Sequence, residues 1–140
     1  MVEDILNFNI ESLGENTIPS PVLTNKFTPD NKRVLFNIGL ESYNAFTTAD
    51  GHPLSLEVAG PREKIYFDPV TAKAAIATCG GLCPGINDVI RAIVMGLHHR
   101  YGVKNMIGIR YGFQGLIPKY GHEILTLTPE TVQDIHTGGG

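Results

Sequence analysis

The chain has 140 residues, 42% hydrophobic and 18% charged, with a mean hydropathy of 0.00 and a net charge of −3. That balance excludes a disordered polar chain and suits one modest core, and no apolar run approaches the roughly 18 residues of a membrane span. A pI near 5.9 without basic clusters argues against a nucleic-acid partner.

The opening Met1-Val2-Glu3-Asp4 is acidic where a signal peptide is basic. Both cysteines fall after residue 78, which is no disulfide framework, so a reduced, cytoplasmic setting is expected. Residues 1–33 show weak periodicity and the breakers Gly14, Pro19, Pro21 and Pro29, which predicts a mostly irregular arm. Val34–Ile38 and Leu54–Val58 read as short strands, with Asp50-Gly51-His52-Pro53 as a turn between them. Ile65-Tyr66-Phe67 is a third short apolar piece. Residues 1–72 therefore read as an N-terminal extension with short strands.

From residue 73 the pattern changes. Ala74–Cys79 is a short apolar run, as expected of a strand buried on both faces, and it stops at Gly80-Gly81. Ile86, Val89, Ile90, Ile93, Val94 and Leu97 then form one stripe of an amphipathic helix that should end at Gly102. Met106–Ile109 and Ile124–Leu127 read as further strands. Thr128-Pro129 has the form of a helix start, with threonine as the cap. Strand, glycine turn, helix and strand make a βαβ unit, whose sheet should be parallel.

The glycine turn concentrates the chemistry. Residues 78–87 join that strand to that helix, and glycines there let a ligand approach the backbone without an intervening Cβ. The helix start adds unpaired N–H groups and a partial positive charge. Residues 1–70 carry 5 Lys+Arg against 10 Asp+Glu, and residues 71–140 carry 6 against 4, so the glycine-rich half is the one suited to an anion. The spacing is neither that of a P-loop nor that of a dinucleotide loop. By itself it leaves a phosphate site and a purely structural tight turn both open.

Cys79-Gly80-Gly81-Leu82-Cys83-Pro84-Gly85-Ile86-Asn87-Asp88-Val89-Ile90-Arg91 resembles the GGxxPGxN loop and first helix of the 6-phosphofructokinase family, in the form of its long-chain plant and protist subgroup. Ala59–Phe67 is similar to that subgroup's pre-domain segment, Tyr111-Gly112-Phe113-Gln114-Gly115 to the turn after the second strand, and Ile135–Gly139 to the approach to a GG[TS]xLGxSR stretch. The resemblance implies an α/β fold, with residues 73–140 as the first βαβ part of a Rossmann-like, three-layer, ATP-binding domain with a parallel sheet. It implies phosphoryl transfer from ATP to fructose 6-phosphate in glycolysis, with Mg²⁺ as cofactor, pyrophosphate as the alternative donor, and a homo-oligomer, dimer or tetramer. A non-catalytic nucleotide-binding module is the other reading.

Carried onto this chain, the resemblance makes Gly81 the glycine whose backbone meets the ATP phosphates, with Gly80 beside it. It supplies no catalytic residue and no metal ligand, because the family's base, its Gly-Gly-Asp-Gly metal loop and its sugar-phosphate arginines lie further along. The chain thus looks like an N-terminal part of a longer kinase, inactive alone. Asn87 and Asp88 read as helix caps, and Phe113 as a core residue near a nucleotide-side position. Cys79 and Cys83 read as structural: their spacing is half a zinc site at most and is not CxxC. His98, His99 and His122 read as surface residues. In short-chain relatives, two arginines of the first helix and a third further along the chain hold an allosteric nucleotide or phosphoenolpyruvate. Arg91 matches one of them, but Met95 and Thr137 replace two others, so that effector site is expected to be lost.

Overall fold

A computed structural model describes residues 8, 10–41, 47–48 and 51–138. Met1–Asp4, Asp50 and Gly139 of the readings above lie outside them. The chain divides into two compact units, Met1–Ser20 with Thr24–Tyr66 and Pro21–Leu23 with Phe67–Gly140.

The first unit is built from two small antiparallel ladders. Strand β1, Ile18–Pro19, pairs with β4, Lys64–Ile65, and β2, Arg33–Leu35, pairs with β3, Ser55–Glu57. The arm expected to be irregular therefore holds a strand, β1, whose partner lies far along the chain. Arg62 organises this unit. Its guanidinium donates to the carbonyls of Thr28 (3.0 Å), Pro29 (2.7 Å) and Val58 (2.7 Å), and its Nε lies 3.6 Å from an Asp30 carboxylate oxygen.

The second unit is α/β. Strand β5, Lys73–Ala77, leads to helix α1, Ile86–Gly96, and α1 runs on into a π-helical turn, Leu97–Tyr101. Gly102, at φ 77°, stops it as the sequence predicts. Strand β6, Asn105–Ile109, pairs parallel with β5, which completes the βαβ unit. Two 3₁₀ turns, Gly112–Leu116 and Pro118–Tyr120, then lead to β7, Ile124–Thr126. Strand β7 pairs antiparallel with β6, so the sheet is mixed. The reason is topological: a parallel return takes a crossover, usually an α-helix, and residues 110–123 form two 3₁₀ turns and no α-helix.

The apolar stripe of α1 packs on one face of this sheet. Val94, Val103, Met106, Leu127 and Val132 are buried, with Ala74, Ile76, Ile90, Leu97 and Ile135 against them. Strand β5 departs from the expectation of burial on both faces. Ala74 and Ile76 are half-buried while Lys73, Ala75 and Ala77 are exposed, because α1 covers one face only. Helix α2, Pro129–Val132, begins at Thr128 in a capping box: Thr128 Oγ1 accepts from the Thr131 N–H at 3.3 Å, and Thr131 Oγ1 accepts from the Thr128 N–H at 2.8 Å. A last 3₁₀ turn spans Ile135–Thr137.

Candidate functional site

Because β5 and β6 are parallel, their carboxyl ends open on the same edge of the sheet, where open α/β sheets receive ligands. The loop of residues 78–85 leaves β5 there, and the turn of residues 110–116 leaves β6 beside it. Contact between them is close. A Cβ placed on Gly112 would stand 2.6 Å from Cys79 Sγ and 2.9 Å from the Thr78 carbonyl oxygen. One on Gly115 would overlap the Arg110 carbonyl oxygen and stand 2.6 Å from Ile109 Cγ2. Tyr111 opens this turn at φ 60°, the left-handed region that a bulky residue rarely occupies.

The loop itself is open. Gly80 takes φ +114° and Gly85 takes φ +86°, so the backbone requires glycine at both. Gly81 differs: its φ is outside that region, and a Cβ there would meet nothing within 4 Å. Neither chain geometry nor internal packing requires glycine at Gly81. Among the described residues, the N–H groups of Gly80, Gly81 and Leu82 donate to no partner. No side chain caps α1, whose N-cap is Gly85. Free N–H donors, a bare backbone and the positive end of an 11-residue helix converge on this loop. Chemically, that arrangement is suited to an anion held through neutral donors, without a lysine.

Other sequence readings shift. Asn87 does not cap α1; its Nδ2 donates to the carbonyls of Ile135 (3.0 Å) and Gly138 (3.4 Å), bracing the C-terminal turn. Asp88 lies in the first turn of α1, where its charge suits the helix dipole. Phe113 is not core: it is 74% exposed, in the turn that leaves the carboxyl end of β6. Cys79 and Cys83 are both free and exposed. Arg91 is held by the fold, its Nε donating to the Gln133 carbonyl at 3.0 Å, while Met95 packs on the core and Thr137 Oγ1 donates to the Asp134 carbonyl at 2.7 Å.

Two histidines have neighbours that sequence reasoning missed. The His122 ring centre lies 4.4 Å from that of Tyr111 and stacks on Tyr120 at 5.9 Å, which ties the turn after β6 to the residues before β7. His98 is half-buried, with Nε2 3.1 Å from Lys104 Nζ. A Tyr-x-His spacing at 120–122 was the available signal for the first, but Tyr111 is not local to it. Among the described residues, no group of three or more His, Cys, Asp or Glu side chains is placed to hold a metal ion, and no helix is long and apolar enough to cross a membrane.

Residues 73–140 match the family model described as Phosphofructokinase. Across 143 aligned positions the chain is 43% identical to the ATP-dependent 6-phosphofructokinase of Borreliella burgdorferi, covering 96% of this chain and 31% of that protein. It is 55% identical over 85 residues to the ATP-dependent 6-phosphofructokinase of Entamoeba histolytica, covering 61% of this chain and 19% of the relative. Against the chloroplastic ATP-dependent 6-phosphofructokinase 4 of Arabidopsis thaliana the identity is 55% over 82 residues, 59% of this chain and 15% of the relative. The chain thus spans at most about a third of the length of these curated relatives.

Proposed function

The chain belongs to the phosphofructokinase family, and from that premise we propose that it forms the donor-phosphate side of an ATP-dependent 6-phosphofructokinase acting in glycolysis. In this reading the 1-hydroxyl oxygen of fructose 6-phosphate attacks the terminal phosphorus of ATP, and ADP leaves. Catalysis of such a transfer is mainly positioning and charge neutralisation. The share of these residues is positioning: the N–H groups of Gly80, Gly81 and Leu82 and the start of α1 hold the donor phosphates, and Phe113 borders the nucleotide side. The names of the relatives support ATP over pyrophosphate as donor.

The resemblance implies Mg²⁺ between the phosphates, and the described residues contribute donor-phosphate contacts in this reading, with no group of three or more His, Cys, Asp or Glu side chains placed around a metal. A cytoplasmic setting and a homo-oligomeric assembly belong to the same proposal.

The observation that carries the reading is Gly81, a glycine that neither φ nor packing explains. Calorimetric titration of the chain with ATP and with pyrophosphate tests it, using Gly81→Val as the obstructed variant. Binding by the wild type and a loss of about tenfold or more in the variant are expected, about 1.4 kcal/mol. Equal affinities in two equally folded proteins would remove the phosphate role.

A further inference from the structure

We propose that Cys79 and Cys83 form a reversible disulfide within the glycine loop, and that this bond gates the donor site. The gating rests on the phosphate-loop reading; the bond does not. Unpaired cysteines are among the most buried residue types, yet both of these are exposed. They are the two thiols of the chain, so no other cysteine in it competes for pairing.

Between them lie Gly80, Gly81 and Leu82, all exposed, with the chain bending at both glycines. The N–H groups of these three residues hold no hydrogen bond among the described residues, and a Cβ at either glycine would meet nothing within 4 Å. Drawing Cys79 and Cys83 within the roughly 7 Å between Cα atoms that a disulfide requires would therefore break no hydrogen bond donated by these three residues and no packing contact of the two glycines, although the Cys83 carbonyl accepts from the Ile86 N–H at 3.1 Å and must keep or yield that bond. At the ends, Cys79 Sγ lies against Gly112, and Cys83 Sγ makes only a long contact of 3.8 Å with the Pro84 carbonyl oxygen.

The chemistry closes with a peroxide as oxidant. One thiolate attacks hydrogen peroxide: an S–O bond forms, the O–O bond breaks, and the departing hydroxide is protonated to water. The second thiolate then attacks that sulfur: the S–S bond forms, the S–O bond breaks, and a second water leaves. Two electrons pass from the two sulfurs to the peroxide, and both thiol protons end in water. A small-molecule or protein dithiol reverses the step by exchange, readily so if the short ring is strained. Once closed, the ring fixes the stretch whose N–H groups must converge on a phosphate.

The test treats the purified 140-residue chain with hydrogen peroxide and reads free thiols and intact mass. Wild type is expected to fall from two thiols to none with a mass loss of about 2 Da, reversed by dithiothreitol. Cys79→Ser and Cys83→Ser should instead yield over-oxidised or cross-linked chains. A wild type that gives the same products as the two variants overturns the disulfide. Titration with pyrophosphate and with ATP then reads the gate. Oxidised wild type should bind at least tenfold more weakly than reduced wild type, while the double variant Cys79→Ser/Cys83→Ser, which has no thiol to oxidise, shows one affinity before and after oxidant. A disulfide that forms and leaves affinity unchanged overturns the gate. Reduced wild type that binds neither ligand overturns the phosphate-loop reading and the gate with it, whereas the mass result stands on its own.

Discussion

The loop after β5 and the turn after β6 lie side by side, both rich in glycine, and they use it for opposite reasons. In the turn, Gly112 and Gly115 are hemmed in: a Cβ would run into Cys79 and Thr78 at one and the Arg110 carbonyl at the other. In the loop, Gly80 and Gly81 face open space. A glycine with no room around it answers to the chain's own packing. A glycine with room, and with an ordinary φ, as at Gly81, is held by neither demand, and there the proposed donor contact supplies the reason. The comparison separates glycines that the packing requires from glycines that it does not, and each half can be broken separately.

The largest effect is expected in the turn. Gly115→Ala forces the backbone at Arg110 to move, and Gly112→Ala adds a Cβ at φ +55°. Each should lose about 2–3 kcal/mol of stability, read as a lower urea midpoint with an unchanged slope. If both proteins unfold like wild type, the turn is not packed as described. Next comes Gly81→Ala, which should stay within about 0.5 kcal/mol of wild-type stability. In the kinase proposed above it should raise KM for ATP and lower kcat, with the steady-state constants as the measurement.

Arg91 sharpens the contrast, since its match to an effector-binding arginine suggests a ligand and its bond to Gln133 a fold role. Arg91→Ala should cost about 1 kcal/mol by thermal melting. Millimolar ADP or phosphoenolpyruvate should not shift the fructose 6-phosphate curve of the proposed kinase, either with Arg91 or without it. A response in wild type that vanishes in Arg91→Ala would return this residue to the ligand side.

The smallest effect lies at the far end of α1. Burial first, then the charges of Lys104 and His99, hold the His98 imidazole below its ordinary value of 6.5. The unfolded chain therefore takes up this proton more readily than the folded one, so stability falls as pH drops below 6.5. Glu130, lowered from 4.5 chiefly by the Thr128 hydroxyl, loses its contribution only at more acid pH. The drop in Tm between about pH 7.5 and about pH 5.5 should be smaller in His98→Gln than in wild type.

What the sequence discloses follows the range of each interaction. The α1 stripe, the stop at Gly102 and the Thr128-Pro129 start are local patterns, and the structure has them where the sequence predicts them. Strand β1 escaped because a two-residue strand has no period, and its partner β4 lies more than 40 residues away. The antiparallel β7 and the one-sided β5 depend on what the connections and covering elements are, which alternation of residues does not encode. At the site, glycine spacing singles out Gly80 and Gly81 without distinguishing their reasons for being glycine. Asn87 looks like a cap because capping is local, whereas its acceptors are 48 and 51 residues further on.

Those two long-range bonds, with that of Arg91, set how the last segment opens. A four-residue helix and a single 3₁₀ turn have almost no persistence in isolation, since helix nucleation is costly. Here residues 129–137 are fastened from α1 by Asn87 and Arg91, and Val132 is sealed into the core at 1% exposure. Amide protons of Val132, Gln133 and Thr137 should therefore exchange with deuterium in step with those of α1, as one cooperative unit. In Asn87→Ala their protection should fall well before that of α1 does. The C-terminal turn then borrows its lifetime from the helix that the glycine loop begins.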